Sequence, residues 1–180
     1  MERYATFLRG INVGGHRVKN DELRSFFAAM GFRDVHAFRA SGNVIFAADT
    51  EPPAQLTLRI EEGLAGSLGY EVATFVRAAS EVQAIARLRP FTPAQVQASG
   101  GRLQVSLLSG RPSARVRTDV LAMATDNDRL AFGERELYWL PSGGILESAL
   151  DLKAIDTLLG TNTRRTKNTV EQIARKHFAD

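Results

Sequence analysis

The chain has 180 residues and no cysteine, which excludes disulfides, thiolate catalysis and cysteine-held zinc or iron–sulfur centres. Its 23 basic residues, 19 arginine and four lysine, exceed the 20 acidic ones by only three, too small an excess to name an anionic partner by itself. No apolar run approaches the ~18 residues of a bilayer span, and Met1-Glu2-Arg3-Tyr4 opens no signal sequence, so a cytoplasmic protein with no membrane partner is expected.

In chain order, Tyr4-Ala5-Thr6-Phe7-Leu8 predicts a strand, and a glycine-rich loop then runs to Lys19. Asn20 is a candidate N-cap, with Asp21 and Glu22 suited to the first helical turn. Leu23, Phe26, Phe27 and Met30 follow at helical spacing, and Gly31-Phe32 supplies a stop. Asp34–Arg39 and Val44–Ala47 read as strands around the Ser41-Gly42-Asn43 turn. Pro52-Pro53 opens a second helix with Leu56, Ile60 and Leu64 in register, Gly69 ends it, and Val72–Val76 is a fourth strand. The order βαββαβ is that of a ferredoxin-like subdomain, an antiparallel sheet with both helices on one face. Its first and third strands should be central, and here they are the most apolar.

Beyond residue 78 a short helix spans Ser80 to Leu88, and Pro90 to Gly101 reads as loop. Leu103, Val105 and Leu107 alternate as a strand, and a helix follows Pro112. Asp128–Phe132 and Glu136–Leu140 flank Gly133-Glu134-Arg135 as a hairpin. Two helical segments, 146–159 and 166–178, meet at Gly160. The fold class is therefore α+β with two small subdomains, 1–78 ferredoxin-like and 79–180 a related but incomplete unit with two C-terminal helices, packed as one compact protein.

Three stretches carry candidate chemistry. Arg9–Lys19 follows a strand and precedes a helix, and Gly10 and Gly15 have the spacing of a nucleotide-phosphate loop. The next residues are His16 and Arg17, not the required Lys and Ser or Thr, and no dinucleotide G-x-G-x-x-G is present. A simpler anion site is the surviving reading, from glycine amides with Arg9, His16, Arg17 and Lys19 around them. Against it, the glycines turn the chain in any case, and Asp21 and Glu22 already face the helix start. In the expected sheet, strands one and three are antiparallel neighbours, so the first loop and the Ser41-Gly42-Asn43 turn share one end. That gathers Arg9, Gly10, Asn12, Gly14, Gly15, Arg17, Ser41 and Asn43 as ligand-binding candidates, with His16 the weak candidate for a general acid or base. The third stretch, Thr161–Val170, sets Thr163, Arg165 and Asn168 before a helix, as a second anion site or as ordinary capping. His16, His36 and His177 form no close pair in the sequence, so neither a metal nor a cofactor is expected.

Phe7-Leu8-Arg9-Gly10-Ile11-Asn12-Val13-Gly14-Gly15, Leu23 to Gly31-Phe32, and Ser41-Gly42-Asn43-Val44-Ile45-Phe46 together resemble the bacterial domain-of-unknown-function 1697 family. The closing Thr163-x-Arg165-x-x-Asn168-Thr169-Val170 is similar to that family's C-terminal motif, so the resemblance covers nearly the whole chain. The family usually has Asn and Trp where this chain has Thr166 and Lys167, so no amide or indole role carries over there. The resemblance implies an α+β fold with ferredoxin-like subdomains and marks the three motifs as a shared core. It implies no activity.

The expected function is binding of a small anionic ligand, phosphate-like or nucleotide-like, at the glycine loop and Ser41-Gly42-Asn43 turn. Alternatives are nucleic-acid binding through a basic surface, or a non-catalytic protein-interaction module. Phe7 and Phe46 on central strands are better placed for core packing than for stacking bases. Arg87, Arg89, Arg102, Arg111, Arg115 and Arg117 read as solvated faces, and Tyr138 or Trp139 as a candidate interface.

Overall fold

The computed structural model describes residues 1–40, 42–100 and 102–179, among which no helix is long and apolar enough to cross a membrane. The chain divides into two compact units: Met1–Gln83 with the C-terminal stretch from Ile173, and Ala84–Gln172. Both are mixed α and β, and each carries a four-stranded antiparallel sheet.

The first unit runs β1 (Glu2–Arg9), α1 (Asn20–Ala29), β2 (Arg33–Ala37), β3 (Asn43–Ala48), α2 (Pro53–Leu68) and β4 (Ala73–Ala78), in sheet order β2-β3-β1-β4. The apolar strands β1 and β3 are central, as their composition predicts. One sheet face sends Tyr4, Leu8, Val44, Phe46 and Val76 into a core completed by Leu23, Phe27, Leu56, Ile60 and Leu64 from the helices. Each of these aliphatic or aromatic side chains contributes about 1.5–3 kcal/mol by leaving water. Phe7, Ile45 and Phe75 on the other face are buried as well. Gly31 and Gly69 end the two helices in left-handed conformation, the backbone region glycine enters without Cβ strain.

The chain continues as α3 (Ala79–Arg87), α4 (Pro93–Ala98), β5 (Gln104–Leu108), α5 (Ala114–Leu121), β6 (Asp128–Phe132), β7 (Glu136–Pro141), a 3-10 turn at Ile145–Glu147, α6 (Leu152–Leu159), β8 (Asn162–Thr166) and α7 (Lys167–His177). The division between units falls inside both α3 and α7. The sheet order is β6-β7-β5-β8.

Three expectations are corrected here. The expected loop from Pro90 holds α4, started by a reciprocal cap: Thr92 Oγ1 accepts from Gln95 N at 3.2 Å and Gln95 Oε1 accepts from Thr92 N at 3.0 Å. The helix expected from residue 146 begins at Leu152, because the Asp151 carboxylate accepts from Ala154 N at 3.0 Å and caps it there. The second unit is not short of a strand, because Asn162–Thr166 pairs along β5 from Asn162↔Leu108 to Thr166↔Gln104. That strand is polar throughout and lies at a sheet edge, so no apolar alternation announces it.

Tyr138 and Trp139 are both buried, which withdraws them as an exposed interface. Trp139 packs with Val120, Leu137, Leu150 and Ile155. Its Nε1 donates to Asp128 Oδ1 at 2.8 Å, Ser148 Oγ donates to the same oxygen at 2.7 Å, and Thr125 Oγ1 donates to Oδ2 at 2.8 Å. Burial alone raises the Asp128 carboxyl, but these three donors outweigh it and hold the group below the usual carboxylate range.

Candidate functional site

The loop after β1 and the turn between β2 and β3 come together at one end of the first sheet. Phe7 lies opposite Asn43, and Leu8 N donates to Gly42 O at 2.8 Å. Asn12 ties the two segments: its Nδ2 donates to Ala40 O at 3.2 Å and its Oδ1 accepts from Val18 N at 2.8 Å. Asn43 is buried, and its Nδ2 donates to Phe38 O at 2.9 Å, closing the turn from inside. Both asparagine side chains thus hold the backbone in shape. Ser41 lies outside the described residues.

Gly10, Gly14, Gly15 and Gly42 all have positive φ. At Gly42 the need is strict: an added Cβ would sit 3.0 Å from Ile11 Cγ2 and 3.1 Å from Leu8 Cβ. Ile11 is the buried anchor of the loop, and its carbonyl accepts from Tyr70 Oη at 2.8 Å. His16 is exposed and stacks on Tyr70, with ring centroids 4.2 Å apart and planes at 28°. Arg9 and Arg17 are exposed at the rim of this platform. Arg39 joins them, exposed at the β2–β3 turn with φ 58°. The α1 start is closed to an anion by its own sequence, since Glu22 Oε2 accepts from Lys19 N at 2.9 Å and Asp21 pairs with Arg24 at 2.6 Å. Lys19, not Asn20, is the N-cap.

Thr163, Arg165 and Asn168 belong to the second unit. Thr163 and Arg165 lie on β8, and Asn168 is exposed in the first turn of α7. Arg165 NH1 donates to Thr163 Oγ1 at 2.9 Å and to Arg164 O at 2.8 Å, and burial pushes its guanidinium down to about 10, which leaves it charged at neutral pH. The neighbouring Lys167 is buried, and its Nζ donates to Ala86 O at 2.9 Å and to Glu171 Oε1 at 2.7 Å. Burial holds the Lys167 amine below its ordinary range, and Glu171 offsets only part of that. The chain thus buries the lysine stem and satisfies its head.

Two features escaped the sequence reading. Tyr70 supports both Ile11 and His16 from across the unit, and nothing local in the sequence marks it for that role. His36 and His177, remote in the chain, have ring centroids only 5.4 Å apart, because α7 returns to the first unit. Among the described residues no group of three or more potential metal ligands occurs.

These features define a two-unit α+β protein with a glycine-loop platform at one sheet end. The family model described as "Protein of unknown function (DUF1697)" matches residues 1–138, and the chain belongs to that family. Among solved structures it is similar to the conserved bacterial protein SP0830 from Streptococcus pneumoniae, at a TM-score of 0.76 and 22% identity, over 98% of this chain and 99% of that one. At that identity the likeness speaks for the fold alone. No curated protein matches the chain at the same standard.

Proposed function

We propose that the glycine loop and the adjoining β2–β3 turn bind a small anion of the phosphate or nucleotide type. The observation that carries this reading is the Asn12 bridge to Ala40 and Val18. It fixes a loop rich in positive-φ glycines beside exposed Arg9, Arg17 and Arg39, so little ordering remains to oppose binding. Arg9 and Arg17 pair with the anion, and backbone amides of Gly10, Gly14 and Gly15 supply hydrogen bonds. Asn12 and Asn43 act as positioning residues. The His16 ring, already stacked on Tyr70, offers a face for a base. Thr163, Arg165 and Asn168 contribute to shaping their own unit in this reading.

A thermal-shift series with nucleotides and phosphorylated metabolites tests it. A ligand at 100 times its Kd adds about 2.7 kcal/mol, a rise of several degrees, and Arg9→Gln with Arg17→Gln removes the rise. No rise with any phosphate compound at millimolar concentration rejects the reading. Nucleic-acid binding through sheet aromatics has less support, since Phe7 and Phe46 are both buried.

We further infer that each unit is ferredoxin-like. The orders β2-β3-β1-β4 and β6-β7-β5-β8, each with two crossing helices, support it.

A further inference from the structure

The end of α7 gathers a second set of cations on the first unit, toward the opposite end of β1 from the glycine loop. Arg3 and Arg9 are six residues apart on that strand, or about 20 Å. The His177 ring lies 5.4 Å from the His36 ring of β2, and 6.1 Å from Phe38, which it meets edge-on at 84°. Lys176 Nζ sits 5.4 Å from the Phe38 ring centre, and Arg3 Cζ sits 5.4 Å from that of Phe178. Arg33 and Arg3 are both registered on Ala47, so their side chains leave the same sheet face. Among the described residues no carboxylate pairs with Arg3, Arg33, His36, Lys176 or His177.

The C-terminal dipole of α7 accounts for basic residues in its last turn, Arg175, Lys176 and His177. It does not account for Arg3, Arg33 and His36, which come from two strands and add like charge beside it. Two facing imidazoles would suit a transition metal, but Arg3 and Lys176 repel a cation from that spot. An anion relieves the repulsion instead. We propose that Arg3, Arg33, His36, Lys176 and His177 form a binding site for a phosphate-type oxyanion, either free or as the terminal group of a small ester.

The electrostatic surroundings of His177 agree with that geometry. Burial, then His36, Arg3 and Lys176, hold the His177 imidazole below its ordinary range. A bound dianion reverses the charge contribution, so binding must raise the His177 imidazole, and affinity must rise as pH falls through its protonation.

The test is an NMR titration of the imidazole protons in the full chain. It compares inorganic phosphate with chloride at equal ionic strength, and with glycerol phosphate. The expected result is a rise of about half a pH unit or more in the midpoint of His177. Arg3→Gln and Lys176→Gln each shrink that rise, and Arg9→Gln at the glycine loop leaves it intact. Whichever of phosphate and ester saturates the rise at lower concentration is the better ligand class. The proposal is overturned by no rise, by a rise that both substitutions leave unchanged, or by a response to a single-stranded oligonucleotide alone. Since Lys176 is exposed, its variant keeps the test valid if Arg3→Gln weakens the fold.

Discussion

At the scale of single residues, Gly42 combines a left-handed backbone with close neighbours. Its φ of 72° strains any other residue, and a methyl group 3.0–3.1 Å from Ile11 and Leu8 would make both give by a few tenths of an ångström. Gly42→Ala should cost about 1–3 kcal/mol, read as a lower denaturation midpoint, and should loosen the loop it presses against. Thr6 is the opposite case. It is fully buried on β1, and its Oγ1 has no hydrogen-bond partner among the described residues. Thr6→Val keeps the shape and removes a stranded hydroxyl, so chemical denaturation should show a gain of up to about 1 kcal/mol. A loss above about 1 kcal/mol would mean that the hydroxyl has found a partner. His177 gives a pH signature. Its folded form resists protonation, so the unfolded chain binds the proton more readily below the ordinary histidine range. Stability should therefore fall as pH drops through that window in chloride buffer, and His177→Gln should flatten this part of the curve.

At the scale of elements, caps and edges decide what a sequence reveals. The helices α1 and α2 were legible because Leu23, Phe26 and Phe27, then Leu56, Ile60 and Leu64, repeat at helical spacing and end on glycine. Helix α4 has too few apolar residues for periodicity to show. Its only signal is Thr92-Pro93-Ala94-Gln95, a reciprocal cap that needs local chemistry to be noticed. Thr92→Ala should cost about 1 kcal/mol and fray this helix first, seen as faster amide exchange over residues 95–99. Strand β8 was hidden for another reason. Asn-Thr-Arg-Arg-Thr forms a strand through backbone pairing with β5, and its polar side chains show no apolar alternation that would signal it. The candidate site divides likewise. Loop and turn could be brought together from strand order alone, whereas the His36–His177 contact depends on the path of α7, which no local pattern encodes.

At the scale of the molecule, the two units share one plan. β5-α5-β6-β7-α6-β8 repeats β1-α1-β2-β3-α2-β4 element for element, and the sheet orders β6-β7-β5-β8 and β2-β3-β1-β4 correspond strand for strand. Each series runs directly into a helix, α3 or α7, and the division between units falls inside both. The first unit is therefore discontinuous in sequence. Its C-terminal stretch includes the buried Phe178, and Gln83 Nε2 donates to the Phe178 carbonyl. Phe178→Ala should cost about 3–5 kcal/mol and should disturb signals from β1 and β2, despite lying at the far end of the chain. An amide-exchange map in which only residues 84–172 respond would contradict that assignment.

The arginine content acquires a different meaning from the end strands of the two sheets. A strand with one open side is a template for pairing with a stranger, and charge along it is the usual protection. Of the four end strands, β2 carries Arg33 beside a register break, β6 carries Arg129, and β8 carries Arg164 and Arg165. Exchanging the exposed Arg33 and Arg129 for β-branched apolar residues would leave both cores packed as they are. It would also turn strand edges into sites of intermolecular association, so such variants should lose colloidal solubility before they lose cooperative unfolding.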